Sequence, residues 1–533
     1  MSSSIGIRVR CLASTRIWQE AQYEESDFKE REVEDEVQTT NTNKDSVGEA
    51  TPEALQNGPD QVKKEHPDLE EGEVSDSGSS SSFSSDFDSG SDTRSDATDQ
   101  SAVHRGGRRN VSCIQSAQLS PDGTCIFTTD YNRAFSVYPI DNDIVNEPGT
   151  RSLKPYAQFV SADPIWAFAI NPNFGVNDGN TTHVLVSRRN QYISLHNALW
   201  DLSRPIDAQA DIPRTGPVNI STKVSRYKLI DHLTEDVRAP TSLAYSHDGK
   251  YFYAGEQNTI AVFDLEYTDD PISKILTIPA KRNKLKGGGR GFKGYISALA
   301  LSPASPTNNA GILAAGARTR HVGLYDAISG RETTHITLPG TFQGKKLRND
   351  ALSSTIGDGV SQLKWSPDGN YLYVAERMSD AILIYDVRNV SLTLGYCAGR
   401  KALTKQRLGF DVWTAGDATY GYDDVSPEIW AGGTDGKIRV WRDPCLKEGA
   451  IEADEVVDVS DAPVVASLVH PYGNLAVAAS GKYEICGDDE AAEGKGQLRG
   501  GGIYPKFREW GCLDILGLGG YEPTTAEAET HGM

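Results

Sequence analysis

Apolar residues recur along this chain in short alternating runs, each closed by a turn signal. In "YISALAL", beginning at Tyr295, the residues Ile296, Ala298 and Ala300 fall on one side of an extended backbone. Tyr295, Ser297, Leu299 and Leu301 fall on the other. Both sides are largely apolar, so the pattern predicts a strand covered on both faces rather than one with a wet face. Ser302-Pro303 then removes a ladder donor and turns the chain. "ILAAG" and "HVGLYDA" read as two further strands separated by a polar turn. One such unit cannot bury its own faces, so it requires neighbours built like itself.

Neighbours of that kind are present. "SAQLSPDGTCIFTTDYNRAFSVYPI" from Ser116 and "IWAFAINP" with "HVLVSRRNQYISLHNAL" from Ile165 precede it, as does "TSLAYSHDGKYFYAGEQNTIAVFDL" from Thr241. "VSQLKWSPDGNYLYVAERMSDAILIYDVRN" from Val360, "GFDVWTAG" with "EIWAGGTDGKIRVWRDP" from Gly409, and "VVASLVHPYGNLAVAASGKYE" from Val464 follow it. The anchors Ser120, Asn171, Ser246, Ser302, Ser366 and His470 lie 51, 75, 56, 64 and 104 residues apart, the last interval containing the sixth unit. A basic period of roughly 40 to 50 residues with loop insertions predicts a β-propeller. The expected fold is all-β: a seven-bladed WD40-type propeller over 110–482. The seventh unit lacks a clear last strand, and either the residues before Ser116 or "GCLDILGLG" from Gly511 are candidates to close it. On this reading 483–533 is a C-terminal extension.

Charge changes the picture only once it is located. Of 74 acidic and 53 basic residues, 23 and 6 lie between Ala21 and Gln100, leaving 51 against 47 in the rest. The propeller body is therefore nearly neutral despite the net charge of -21, and basic patches on it remain open. The acidic, Ser-rich stretch is expected to form a disordered tail over 1–109, because it lacks the apolar residues to offset its ordering entropy. Within it Ser85 and Ser89 each precede an Asp by three residues, a pattern suited to an acidophilic kinase and also one that any Ser-Asp tract produces. Seven scattered cysteines without a C-x-x-C pair predict a reducing compartment. With no long apolar run, neither secretion nor membrane insertion is expected.

No catalytic constellation emerges: G-x-S-x-G, H-E-x-x-H and a complete phosphate loop are all missing from the sequence. His247 and His470 sit where turns belong, and Asp264, Asp326 and Asp386 end blades, so both sets are read as turn braces. No enzyme activity and no cofactor or metal are expected. What stands out is basic loops on a neutral body. "AKRNKLKGGGRGFKG" supplies Lys281, Arg282, Lys284, Lys286, Arg290 and Lys293, and "GKKLRND" supplies Lys345, Lys346 and Arg348. Arg188 with Arg189 and Arg318 with Arg320 occupy hairpins, and "GRKALTKQR" adds Arg400, Lys401, Lys405 and Arg407. Cations attract phosphates and flat rings stack on unpaired bases, so these loops are candidate RNA contacts; solvated surface of the same composition is the competing reading.

Several segments carry a resemblance beyond blade geometry. "LIDHLTEDVRAPTSLAYSHDGKYFYAGEQNTIAVFDL", "GYISALALSPASP", "HVGLYD", "QRLGFDV" and "SLVHPYGNLAVAASG" resemble corresponding stretches of the telomerase Cajal body protein family, which includes fungal relatives linked to pre-mRNA splicing. The resemblance spans about Val111 to Lys482. It implies a non-enzymatic, monomeric scaffold that binds small nuclear or guide RNA of the H/ACA class, or telomerase RNA. It also implies ribonucleoprotein or splicing proteins as partners, and a place in the nucleus and its bodies with a cytoplasmic fraction. The alternative is a splicing-associated protein adaptor that makes no direct RNA contact.

Overall fold

A computed structural model describes residues 7–16, 111–204, 216–278, 291–342, 345–346, 355–414, 427–485 and 507–519, apart from 142, 147, 232, 306 and 307. The chain divides into two units, Met1–Gln22 with Asn110–Met533 and Tyr23–Arg109. All described residues belong to the first.

That unit is a seven-bladed all-β propeller. The inner strands of its blades are Ile114–Leu119, Ile165–Ile170, Ser242–Tyr245, Ile296–Leu301, Val360–Trp365, Phe410–Thr414 and Val464–Val469. In each blade the second and third strands follow in antiparallel order outward, as in Ile312–Ala317 and His321–Asp326 of blade 4. The turn after the inner strand is built locally. In blade 1 the Ser120 hydroxyl donates to Asp122 Oδ1 at 2.5 Å and accepts from the Cys125 amide at 2.9 Å, while Gly123 takes φ +75°. Blade 3 repeats the Ser-to-Asp bond with Ser246 and Asp248. A residue with a Cβ is strained at that glycine, which is why the Asp-Gly pair marks the turn.

Among the described residues the apolar side chains form no single central core. Seven apolar clusters each lie between two neighbouring blades, such as the one joining Phe127 and Phe135 of blade 1 to Phe168 and Val184 of blade 2. This explains strands that are apolar on both sides. Side-chain hydrogen bonds cross the same seams: Ser242 Oγ donates to the Ile296 carbonyl at 2.7 Å and Ser467 Oγ to the Trp430 carbonyl at 2.8 Å. Gly316 has no Cβ because one would stand 2.4 Å from Val360 of the next blade.

Closure uses both candidate segments and moves two expected boundaries. Phe507–Leu518 is the third strand of blade 7, and Val9–Ser14 is its fourth, with Val9 opposite Leu518 and Ser14 opposite Asp514. The N-terminal strand lies inside the stretch that composition assigned to a tail over 1–109, and the C-terminal strand lies beyond the 110–482 core. "VRCLAS" is too short for composition to register, and it finds its partners only in the folded ring. The remainder of the expected tail, with Ser85 and Ser89, lies outside the described residues.

Two stability outcomes follow from these contacts. Deleting residues 1–14 removes Leu12, which is 1% exposed and contributes about 2 kcal/mol by burial alone. It also leaves the ladder of the third strand bare, so the melting temperature is expected to fall and apolar-dye binding to rise; an unchanged melt means that blade 7 closes without this strand. Between blades 4 and 5, Arg320 Nε and Nη2 donate to Glu376 Oε1 at 2.7 Å and Oε2 at 2.8 Å, with side chains only 5% and 1% exposed. Glu376→Ala is therefore expected to cost about 3–5 kcal/mol in urea unfolding, because it strands a buried guanidinium.

Candidate nucleic-acid interface

Topology decides where the basic loops stand. Inner strands run toward the Ser-Pro-Asp-Gly turns and second strands run back, so the hairpins joining second to third strands share one face of the ring. The connections from each outer strand to the next inner strand emerge at that same face. Arg189 in the hairpin of blade 2, Arg318 in that of blade 4, Lys293 before blade 4 and Lys401, Lys405 and Arg407 before blade 6 all belong to it. Arg189, Lys293, Lys401 and Lys405 are exposed there.

The other candidates fare differently. Lys281, Arg282, Lys284, Lys286, Arg290 and Arg348 lie outside the described residues. Lys345 and Lys346 pair with Phe342 and Thr341 in a two-stranded ribbon. Arg188 and Arg320 are buried and occupied internally. The Arg188 Nη2 group bonds Ser194 Oγ and His196 Nε2, each at 2.6 Å, and its guanidinium lies 5.3 Å from the Phe159 ring centre. Arg320 is spent on Glu376. Arg400 is also buried, donating to the Gly409 carbonyl at 2.7 Å and the Gly432 carbonyl at 3.3 Å. Arg188 and Arg189 are sequence neighbours with opposite fates: Arg188 ends the second strand and is buried in the blade, while Arg189 begins the exposed hairpin.

Sequence reading passed over Arg377, a residue that completes a pattern. The first residue after the second strand is Tyr131, Arg189, Gln257, Arg318 and Arg377 in blades 1 to 5. Four of these donate their amide to a carbonyl just before the same blade's inner strand: Tyr131 to Cys113, Arg189 to Pro164, Arg318 to Tyr295 and Arg377 to Gly359, at 3.0 Å each. They occupy one equivalent position on the hairpin face, and aligning the blades in register is the signal that reveals it. Burial, and then the like charges of Arg407 and Arg318, push the Arg377 pKa down to about 10. Burial lowers those of Arg407 and Arg318 as well.

Flat rings accompany the cations. Tyr131 and Tyr483, each 43% exposed, stack with centres 5.4 Å apart, and Tyr192 and Tyr295 are exposed on the same side. Inside the ring the inner strands enclose a channel of about 1110 Å³, lined among others by Trp166, Gln118, Gln362, Arg407 and the Lys364–Asp411 ion pair. On the opposite face the turns are stitched together: His247 Nε2 meets the Ser302 carbonyl at 2.7 Å, and the His470 ring abuts Gly123. Asp264, Asp326 and Asp386 accept from backbone amides two or three residues on, as turn braces do. Among the described residues no three His, Cys, Asp or Glu side chains converge as a metal site would require.

Comparison with known proteins agrees with this architecture. A family model described as "Lactonase, 7-bladed beta-propeller" matches residues 330–403, the outer strand of blade 4 and blade 5. Guanine nucleotide-binding protein negative regulator 1 of Schizosaccharomyces pombe is 26% identical over 65% of this chain and 75% of its own length. Telomerase Cajal body protein 1 of Homo sapiens is 25% identical over 62% of this chain and 49% of its own. This chain is similar to the telomerase Cajal body proteins over its propeller. Protein SWT21 of Zygosaccharomyces rouxii is 22% identical over 70% of this chain and 76% of its own length. The alignment thus spans about half of the animal relative and three quarters of each of the two fungal ones.

The interior of blade 2 gives a pH dependence. His196 is fully buried, and desolvation, then the charge of Arg188, push its pKa down to about 4. The unfolded chain takes up a proton near pH 6.5 and the folded one resists it. The stabilisation is thus complete above about pH 6.5 and lost as pH falls toward 4, amounting to roughly 3 kcal/mol at most. Denaturant unfolding of the wild type is expected to weaken across that window, and the slope is expected to flatten in His196→Gln. Equal slopes would place the titrating group elsewhere.

Proposed function

We propose that this chain is a nuclear scaffold that holds a small structured RNA of the guide class on the hairpin face of its propeller, leaving the turn face and rim for ribonucleoprotein partners. The observation that carries this reading is the convergence, on one face of an almost neutral body, of Arg189, Lys293, Arg318, Arg377, Lys401, Lys405 and Arg407 with four exposed tyrosines. Cations beside stackable rings are the chemistry of RNA recognition. The Cajal-body name of the animal relatives supports the nuclear setting. A protein adaptor without RNA contact, of the splicing-associated kind, is the second reading. It is favoured by the fission-yeast relative, which is named for negative regulation of another protein and aligns over more of its length.

Phosphate contacts make binding salt-dependent, which separates the two readings. Titration of full-length protein against a labelled H/ACA-type RNA by fluorescence anisotropy is expected to give a steep fall in affinity with salt. In Arg189→Glu, Lys293→Glu, Lys401→Glu, Lys405→Glu combined, the log–log slope is expected to shrink by roughly 3, with the thermal melt unchanged. A wild-type protein that binds no RNA at low salt would leave the adaptor reading.

A further inference from the structure

Most enclosed guanidiniums in the ring have a visible internal purpose. Arg320 meets Glu376, Arg439 meets Asp435 at 2.7 Å, Arg188 meets Ser194 and His196, and Arg400 meets two carbonyls. Arg377 and Arg407 differ. Among the described residues neither pairs with a carboxylate: the Arg377 guanidinium donates to the Lys405 carbonyl, at 2.8 Å, and Arg407 lines the channel. Arg318 stands close enough to add a third like charge. Holding such charges together, half-withdrawn from water, is costly unless an anion joins them.

A second observation points into the same space. In five blades the inner strand carries a bulge after its first residue, and the bulged residue is Gln115, Trp166, Ser297, Ser361 or Val465. Ser297 uses that position to bond the Val360 carbonyl of the next blade, and Val465 packs with Ala402 and Leu408. Blade 2 alone places a large aromatic there. Trp166 is 39% exposed although it stands in the wall of an internal channel, and it shares that channel with Arg407. Bulges commonly re-aim a side chain toward a functional site. An indole turned into a wet channel that Arg407 also lines, with Arg377 near enough to Arg407 to feel its charge, supplies the two recognition elements that a nucleotide needs.

We propose that the mouth of the channel on the hairpin face is a socket for one unpaired nucleotide, with Arg377 and Arg407 on its phosphate and Trp166 stacked on its base. The inference rests on the RNA reading above and narrows it to single-stranded segments. Seven inner strands wall the channel, so a duplex stays outside, while a volume of about 1110 Å³ admits a nucleotide with its ordered water. Arg318 stands at the rim and attracts the flanking phosphate. The exposed outer residues, Arg189 and Lys293, then track the backbone on either side of the inserted unit.

The test uses the full-length chain, with uridine 5′-monophosphate, a labelled single-stranded oligouridylate and a labelled blunt RNA duplex as probes. Uridine monophosphate is expected to quench tryptophan emission saturably in the wild type and not in Trp166→Phe. Arg377→Gln with Arg407→Gln is expected to weaken oligouridylate binding about tenfold and to leave duplex binding unchanged, and Arg377→Lys with Arg407→Lys is expected to recover part of the loss. If oligouridylate binding survives Arg377→Gln/Arg407→Gln but falls in Arg189→Glu/Lys293→Glu, the socket is overturned and the RNA reading stands. If the wild type binds neither RNA, both are overturned. Should the glutamine pair fail to fold, the wild-type quenching decides alone, and its absence overturns the socket.

Discussion

Everything in this structure depends on closing the ring. Each blade is apolar on both faces, so a blade at an open end would expose an interface as large as those buried elsewhere. Closure is achieved by pairing Val9–Ser14 with Phe507–Leu518, segments about as far apart in sequence as the chain allows. The N-terminal strand then runs antiparallel to its partner, and Leu12 and Ala13 join the cluster shared by blades 7 and 1. The arrangement makes stability non-local: the loss of one short strand is felt at two interfaces.

Within the closed ring, polar groups are positioned by the hairpins as well as by the strands. At the hairpins of blades 2 and 4 one basic residue goes inward, where it must find partners. Arg188 finds a hydroxyl and a neutral imidazole, and Arg320 a carboxylate from the next blade. The same logic lets Ser242, Ser297 and Ser467 reach carbonyls across the seams. Blade packing is thus specified by directed hydrogen bonds as well as by apolar area, and Arg188 and Arg320 are part of that packing.

The functional reading comes from what the scaffold leaves over. Antiparallel strand order sends every second connection to one face, so basic residues scattered over two hundred positions of sequence become one surface. Turn chemistry occupies the other face, where Asp, Ser and His side chains satisfy local backbone groups. On the hairpin face Arg377 stands near the like charges of Arg407 and Arg318, and Arg407 also lines the channel.

The sequence by itself determined the strands, the turns and the number of blades, and it carried the resemblance to the telomerase Cajal body proteins. Period-two apolar runs and Asp-Gly turns are local signals, set by backbone geometry over a few residues, and they read correctly for all seven inner strands. It also exposed Arg189 and Lys293 as basic positions in loops. Only the tertiary structure decided which segments close blade 7, since "VRCLAS" acquires meaning from a partner some five hundred residues away. Only it divided buried Arg188 and Arg320 from exposed Arg189, because inward and outward are defined by neighbouring blades. And only it brought Arg407 and Trp166 to one channel and Arg377 near Arg407 and Arg318, since residues far apart in sequence become neighbours once the ring has closed.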